Sequence, residues 1–96
     1  MHESEVAKLL AKAWQCEVLK LPEHFGIGFV GVRLRCRVVS WIDIASTKQI
    51  DNAKVDRMAE VSRLTGLPLI LVAACTDGIW HARIDSDQRS GFKKLA

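Results

Sequence analysis

The chain has 96 residues, enough for one small domain with a single core and too few for a second. Hydrophobic residues make up 49% and charged residues 26%, the balance of a soluble globular fold, and the longest apolar run, Leu67 to Cys75, is far too short to cross a bilayer. The opening Met1-His2-Glu3-Ser4-Glu5 has neither the basic region nor the apolar stretch of a secretory signal, so a cytoplasmic protein with no membrane partner is expected.

Glu3 to Trp14 is predicted to be an amphipathic helix, because Val6, Leu9, Leu10, Ala13 and Trp14 recur at i, i+3, i+4, i+7 and i+8. Glu3 and Glu5 suit the positive end of its dipole. Cys16 to Leu21 alternates with period two and reads as a strand closed by Pro22. A loop carrying Gly26 and Gly28 follows. Phe29 to Ala45 is rich in Val, Ile, Phe and Trp and is too long for one typical strand. Two strands of a hairpin are expected, although Leu34-Arg35-Cys36-Arg37 holds no Gly, Asn or Asp to mark a turn. One bent strand stays open as the alternative.

Ser46 to Ile50 is a polar connector, and Asp51 or Asn52 can cap a helix running to about Thr65. Val55, Met58 and Ala59 supply its inner face, with Val61 and Leu64 on the flank, and Gly66 stops it before Pro68. Leu67 to Cys75 has the unbroken apolar pattern of a central strand buried on both faces. Thr76-Asp77-Gly78 is a tight-turn signal leading into a last strand, Ile79 to Ile84. Residues 1–84 are expected to form the core and 85–96 a polar tail, loose or docked on a partner. Cys16, Cys36 and Cys75 lie far apart within apolar segments and read as buried reduced thiols. His2, His24 and His81 are equally scattered, which argues against a zinc site.

One segment carries chemistry. Trp41-Ile42-Asp43-Ile44-Ala45-Ser46-Thr47-Lys48 reads as a buried strand that delivers Asp43 to its end, with a lysine just beyond. A carboxylate between Ile42 and Ile44 is costly to bury unless something pairs with it. That something is either a metal ion or a structural partner such as an arginine or a helix N-terminus.

The order α-β-β-β-α-β plus one further strand implies an α/β fold, a mixed sheet flanked by helices. With its local motifs it resembles the restriction-endonuclease-like PD-(D/E)XK nucleases, a superfamily that includes Holliday junction resolvases and phage nucleases. The likeness covers about residues 3 to 84. It rests on Glu5-Val6-Ala7-Lys8-Leu9-Leu10, Val18-Leu19-Lys20-Leu21-Pro22, Gly26-Ile27-Gly28-Phe29-Val30-Gly31-Val32, Val38 to Lys48, and Leu64-Thr65-Gly66-Leu67-Pro68-Leu69-Ile70-Leu71-Val72. The last piece looks much like small phage-encoded members of the group.

The resemblance implies Mg²⁺ held by carboxylates, with a lysine nearby to activate water or neutralise the developing charge on a phosphate. The helix glutamate maps to Glu5 and the third-strand acid to Asp43, making these the metal ligands. The second-strand acid falls at about Gly28 and the lysine at Ala45, and neither residue can do that work. Lys48 is then the candidate catalytic lysine, reaching back from the connector, and Glu23 or His24 the replacement ligand.

Arg33, Arg35 and Arg37 share one face of an extended chain or cluster at a hairpin tip, and Lys54 and Arg57 lie near the start of the second helix. These five suit phosphate contacts without base reading, and the net charge of +3 leans the same way. Trp14, Trp41 and Trp80 could stack on bases, but in a domain of this size they read first as core residues. The expectation is a nucleic-acid-binding PD-(D/E)XK-like protein with a degenerate nuclease site, its partner DNA, branched forms included. The alternatives are an active Mg²⁺-dependent endonuclease or junction resolvase using Asp43 and Lys48, or an assembly module that forms a homo-oligomer through an exposed sheet edge or the Phe92 tail.

Overall fold

The computed structural model describes residues 2–25, 27–33, 37–49, 51–84 and 91–95. In chain order these form helix α1 (Glu3–Trp14), strand β1 (Glu17–Lys20), a short 3-10 helix (Glu23–Phe25), β2 (Phe29–Arg33), β3 (Arg37–Ala45), α2 (Asn52–Thr65), β4 (Leu69–Cys75), β5 (Gly78–Ile84) and β6 (Lys93–Lys94). The six strands build one sheet in the order β1-β2-β3-β4-β5-β6. Every neighbouring pair is antiparallel except β3 and β4, which run parallel and need the α2 crossover between them. The radius of gyration, 12.4 Å, is that of one compact domain of this length. The fold is thus an α/β domain with a mixed sheet, and β2 and β3 are two antiparallel strands rather than one bent strand, with Arg33 opposite Arg37.

Local chemistry sets the helix ends. Asp51 Oδ1 accepts hydrogen bonds from the Ala53 and Lys54 amides, satisfying two donors that the first turn of α2 would leave orphaned. Gly66 ends that helix in the left-handed conformation, at φ 70°. Gln15 does the same for α1 at φ 53°, a region that a residue with a Cβ seldom adopts.

Alternation along the central strands divides the core in two. Ile42 and Ile44 of β3, Phe29 of β2, Val72 of β4 and Ile79 of β5 point towards α1 and pack on Val6, Ala7 and Leu10. Leu69 and Leu71 of β4 and Ile84 of β5 point the other way, against Val55 and Met58 of α2. The α1 stripe differs from the sequence expectation. Ala7 is buried while Leu9 and Ala13 face outward, because the close approach of helix to sheet admits a methyl group at that position. Leu64 is likewise exposed, and Ser62 takes the inward position, donating to the Leu67 carbonyl at 2.6 Å.

Within the 85–96 tail, residues 91–95 lie against the domain itself. β6 adds to the edge of β5, Phe92 packs against the α2-side core, and Leu95 packs against the α1-side core. Apolar residues flanking two lysines supply anchors on both faces of a very short edge strand. Among the described residues no helix is long and apolar enough to cross a membrane.

A β-bulge interrupts the β2–β3 pairing: Gly31 faces Ser40 and Val32 faces Val38, leaving Val39 as the extra residue. Gly31 is needed there, because a methyl group on it would lie 2.7 Å from Ser40 Oγ and 3.5 Å from Ile42 Cδ1. Gly31→Ala should therefore cost about 1–3 kcal/mol by overpacking. Adding Ser40→Ala should recover part of that loss in urea denaturation, and a loss unchanged by the second substitution would place the strain elsewhere.

Candidate functional site

Because Ile42 and Ile44 face α1, Asp43 faces α2, near the C-terminal end of β3. Its side chain is only 13% exposed, and Lys54 Nζ stands 3.4 Å from its Oδ2. Lys54 belongs to the first turn of α2, which the crossover brings back over the end of β3. This partly buried carboxylate therefore has a structural cation as its partner. A cleft of about 130 Å³ lies beside this pair, lined also by Ala45, Thr47, Gln49 and Asp51. One oxygen of Asp51 is already committed to the cap of α2.

The family-derived positions are arranged as follows. Phe29 pairs with Ile42, so continuing the register sets Gly28 beside Asp43, and a Cβ at Gly28 would lie 3.9 Å from Asp43 Oδ1. That is where a second carboxylate could share a cation with Asp43, and the residue there has no side chain. Glu5 is exposed on α1, the helix that covers the opposite face of the sheet, so the structure does not bring Glu5 and Asp43 together. Glu23 and His24 are exposed in the 3-10 helix. Among the described residues no group of three or more His, Cys, Asp or Glu side chains could hold a metal ion.

Lys48 has other partners. Its ammonium lies 4.1 Å from the centre of the Trp80 ring and 3.7 Å from Asp77 Oδ2. The Trp80 indole donates to Asp77 Oδ1 at 3.2 Å. That hydrogen bond chiefly, with a smaller contribution from the Lys48 charge, holds the Asp77 carboxyl below the usual aspartate range. Trp80 is half-buried and carries Lys94 over the same ring at 5.9 Å. The sequence pointed to a core residue or a base-stacking one, and gave no sign of a ring that holds two lysines.

The basic residues split between the two faces. Arg33 ends β2 on the α1 side and is exposed, whereas Lys54 and the exposed Arg57 lie on α2 across the sheet. Arg35 lies outside the described residues, and the backbone of Arg37 pairs with that of Arg33. Cys16 and Cys75 are free and half-buried. Burial pushes the Cys16 thiol up, and the nearby Arg33 charge opposes this more weakly, so the group stays protonated at neutral pH.

The charges that line the cleft beside Asp43 largely compensate one another. Two carboxylates, Asp43 and Asp51, line it; the Lys54 ammonium pairs with the first and the N-terminal amides of α2 with the second. Comparison with protein-family models, with curated proteins and with solved structures gives no match.

The pair makes a testable arrangement. Lys54→Met should destabilise the protein by about 1–2 kcal/mol, the lower range for a pair whose lysine is half-exposed. Combining it with Asp43→Leu should recover most of that loss, since no lone carboxylate is then left in the cleft. A neutral single variant in urea denaturation would show that Lys54 is not what holds Asp43.

Proposed function

We propose that this chain is a nucleic-acid-binding protein of PD-(D/E)XK-like ancestry whose metal-dependent cleavage site has been lost. The observation that carries the reading is the partner of Asp43: an ammonium 3.4 Å away, with glycine at the position beside it. Two-carboxylate coordination gives a divalent cation its hold and its ability to generate hydroxide. One acid neutralised by lysine supplies neither. The element order, the mixed sheet and the motifs from Val38 to Lys48 and Leu64 to Val72 support the ancestry, and the excess of basic residues supports a polyanionic partner.

Active cleavage would need Lys48 to turn away from Trp80 and Asp77, and a second metal ligand to come from a residue other than Gly28. The retained activity is accordingly phosphate-backbone binding, with DNA as the proposed partner. Such binding draws on exposed basic side chains, Arg33 on the α1 side or Arg57 on the α2 side, and it is insensitive to sequence because backbone contacts carry no base information.

Labelled single-stranded, duplex and four-way-junction DNA should each be titrated in about 50 mM salt and again in about 200 mM salt, with and without Mg²⁺ or Mn²⁺. Binding that weakens steeply with salt and does not need the metal is expected, with no strand cleavage. Metal-dependent cleavage abolished by Asp43→Ala would overturn the loss of the nuclease site. Failure to bind any of the three at low salt, with a discrete oligomer in solution, would favour the assembly module instead.

A further inference from the structure

α1 is 12 residues long, about 18 Å, and it roofs only part of the sheet face beneath it. Its buried residues cover Phe29, Ile42, Ile44, Val72 and Ile79, near the C-terminal ends of β3 and β4. The same face continues past the end of the helix as an open groove of about 660 Å³, floored by Ser40 and Ile70. Registers align its wall: Ile70 faces Arg83, Val72 faces His81, and His81 faces Lys93. Arg33 enters from β2, and Trp14, the last residue of α1, closes one side.

The groove combines the basic side chains of Arg33 and Lys93 with two aromatic rings. Trp14 and His81 meet edge to face, their centroids 6.0 Å apart and their planes at 75°. Among the described residues that line the groove there is no carboxylate. Its volume suits one or two nucleotides rather than a double helix. Stacked cations alone fit any anion, but flat rings beside them fit an anion that carries a planar group. In a duplex the bases are stacked inward and only the phosphates reach such a floor, whereas an unpaired strand presents both chemistries at once.

We infer that the open half of the α1-side sheet face is a single-strand nucleic-acid site, in which an unpaired base stacks in the groove at Trp14 and His81 while neighbouring phosphates meet Arg33 and Lys93. The inference rests on the nucleic-acid-binding reading and assigns it a surface on the face of the sheet opposite Asp43.

The test uses the full chain and a fluorescein-labelled oligothymidine of about twelve residues at low salt, with anisotropy and tryptophan emission read together. Binding should quench tryptophan emission, and Trp14→Phe should remove most of that quenching while thermal melting shows the fold intact. Arg33→Glu with Lys93→Glu should weaken binding about tenfold or more, and Arg63→Glu, the same kind of charge change on the outer side of α2, should leave it within about twofold. Oligothymidine binding that is unmoved by the Arg33 and Lys93 changes would overturn this site while leaving the nucleic-acid reading standing. Thymidine monophosphate bound as tightly as the oligomer would overturn the strand and leave a nucleotide pocket. Absence of binding to any nucleic acid would overturn both the site and the reading beneath it.

Discussion

The parallel pairing of β3 with β4 governs the rest of the structure. Two parallel neighbours cannot be joined by a tight turn, so the chain must leave the sheet, cross it as α2 and return. That excursion gives the sheet a second covered face, commits both central strands to burial on two sides, and makes the in-out alternation of β3 a choice between two cores. Asp43 faces α2 because its neighbours Ile42 and Ile44 are needed beneath α1. A one-residue slip would bury the carboxylate under α1 and turn two isoleucines towards the α2 side, which is why the register is held so firmly.

The same crossover decides what Asp43 meets. The connector after β3 is short, so the first turn of α2 must begin near the end of the strand it has left. A positive helix end and a first-turn lysine therefore arrive together at the one acid that needs them. The Asp43–Lys54 pair is a consequence of topology acting on a sequence that lacks a second acid at Gly28. An ion pair of this kind stabilises the carboxylate without needing a metal, at the cost of the open coordination sites that catalysis would use.

Much of the fold was legible in the chain, for identifiable reasons. The bounds of α1 and α2 followed from helical periodicity, from Asp51 as a capping residue and from Gly66 as a left-handed stop. The double-faced apolar run of β4 and the Asp77-Gly78 turn were equally plain. The α1 face was misjudged because hydropathy ranks leucine above alanine, whereas the space beside a sheet selects for size as well. β6 escaped because two lysines carry no strand signal by themselves, and only the binding of Phe92 and Leu95 to opposite cores fixes them against β5. At the site, the need for a partner to Asp43 could be read from burial cost. Its identity as Lys54 was within reach once the connector length was combined with a parallel crossover. The diversion of Lys48 to Trp80 was not, since it depends on the β4–β5 turn lying at the same end of the sheet as the end of β3.

The outer strand β6 has a further consequence. Lys93 and Lys94 project to opposite faces of the sheet, so this boundary, the last strand among the described residues, carries positive charge above and below its plane. A second molecule docking its own β6 there in antiparallel fashion would set ammonium against ammonium on both sides. Crowding many copies together would strengthen that repulsion, so this border resists stacking into ribbons by the same two residues that complete the sheet.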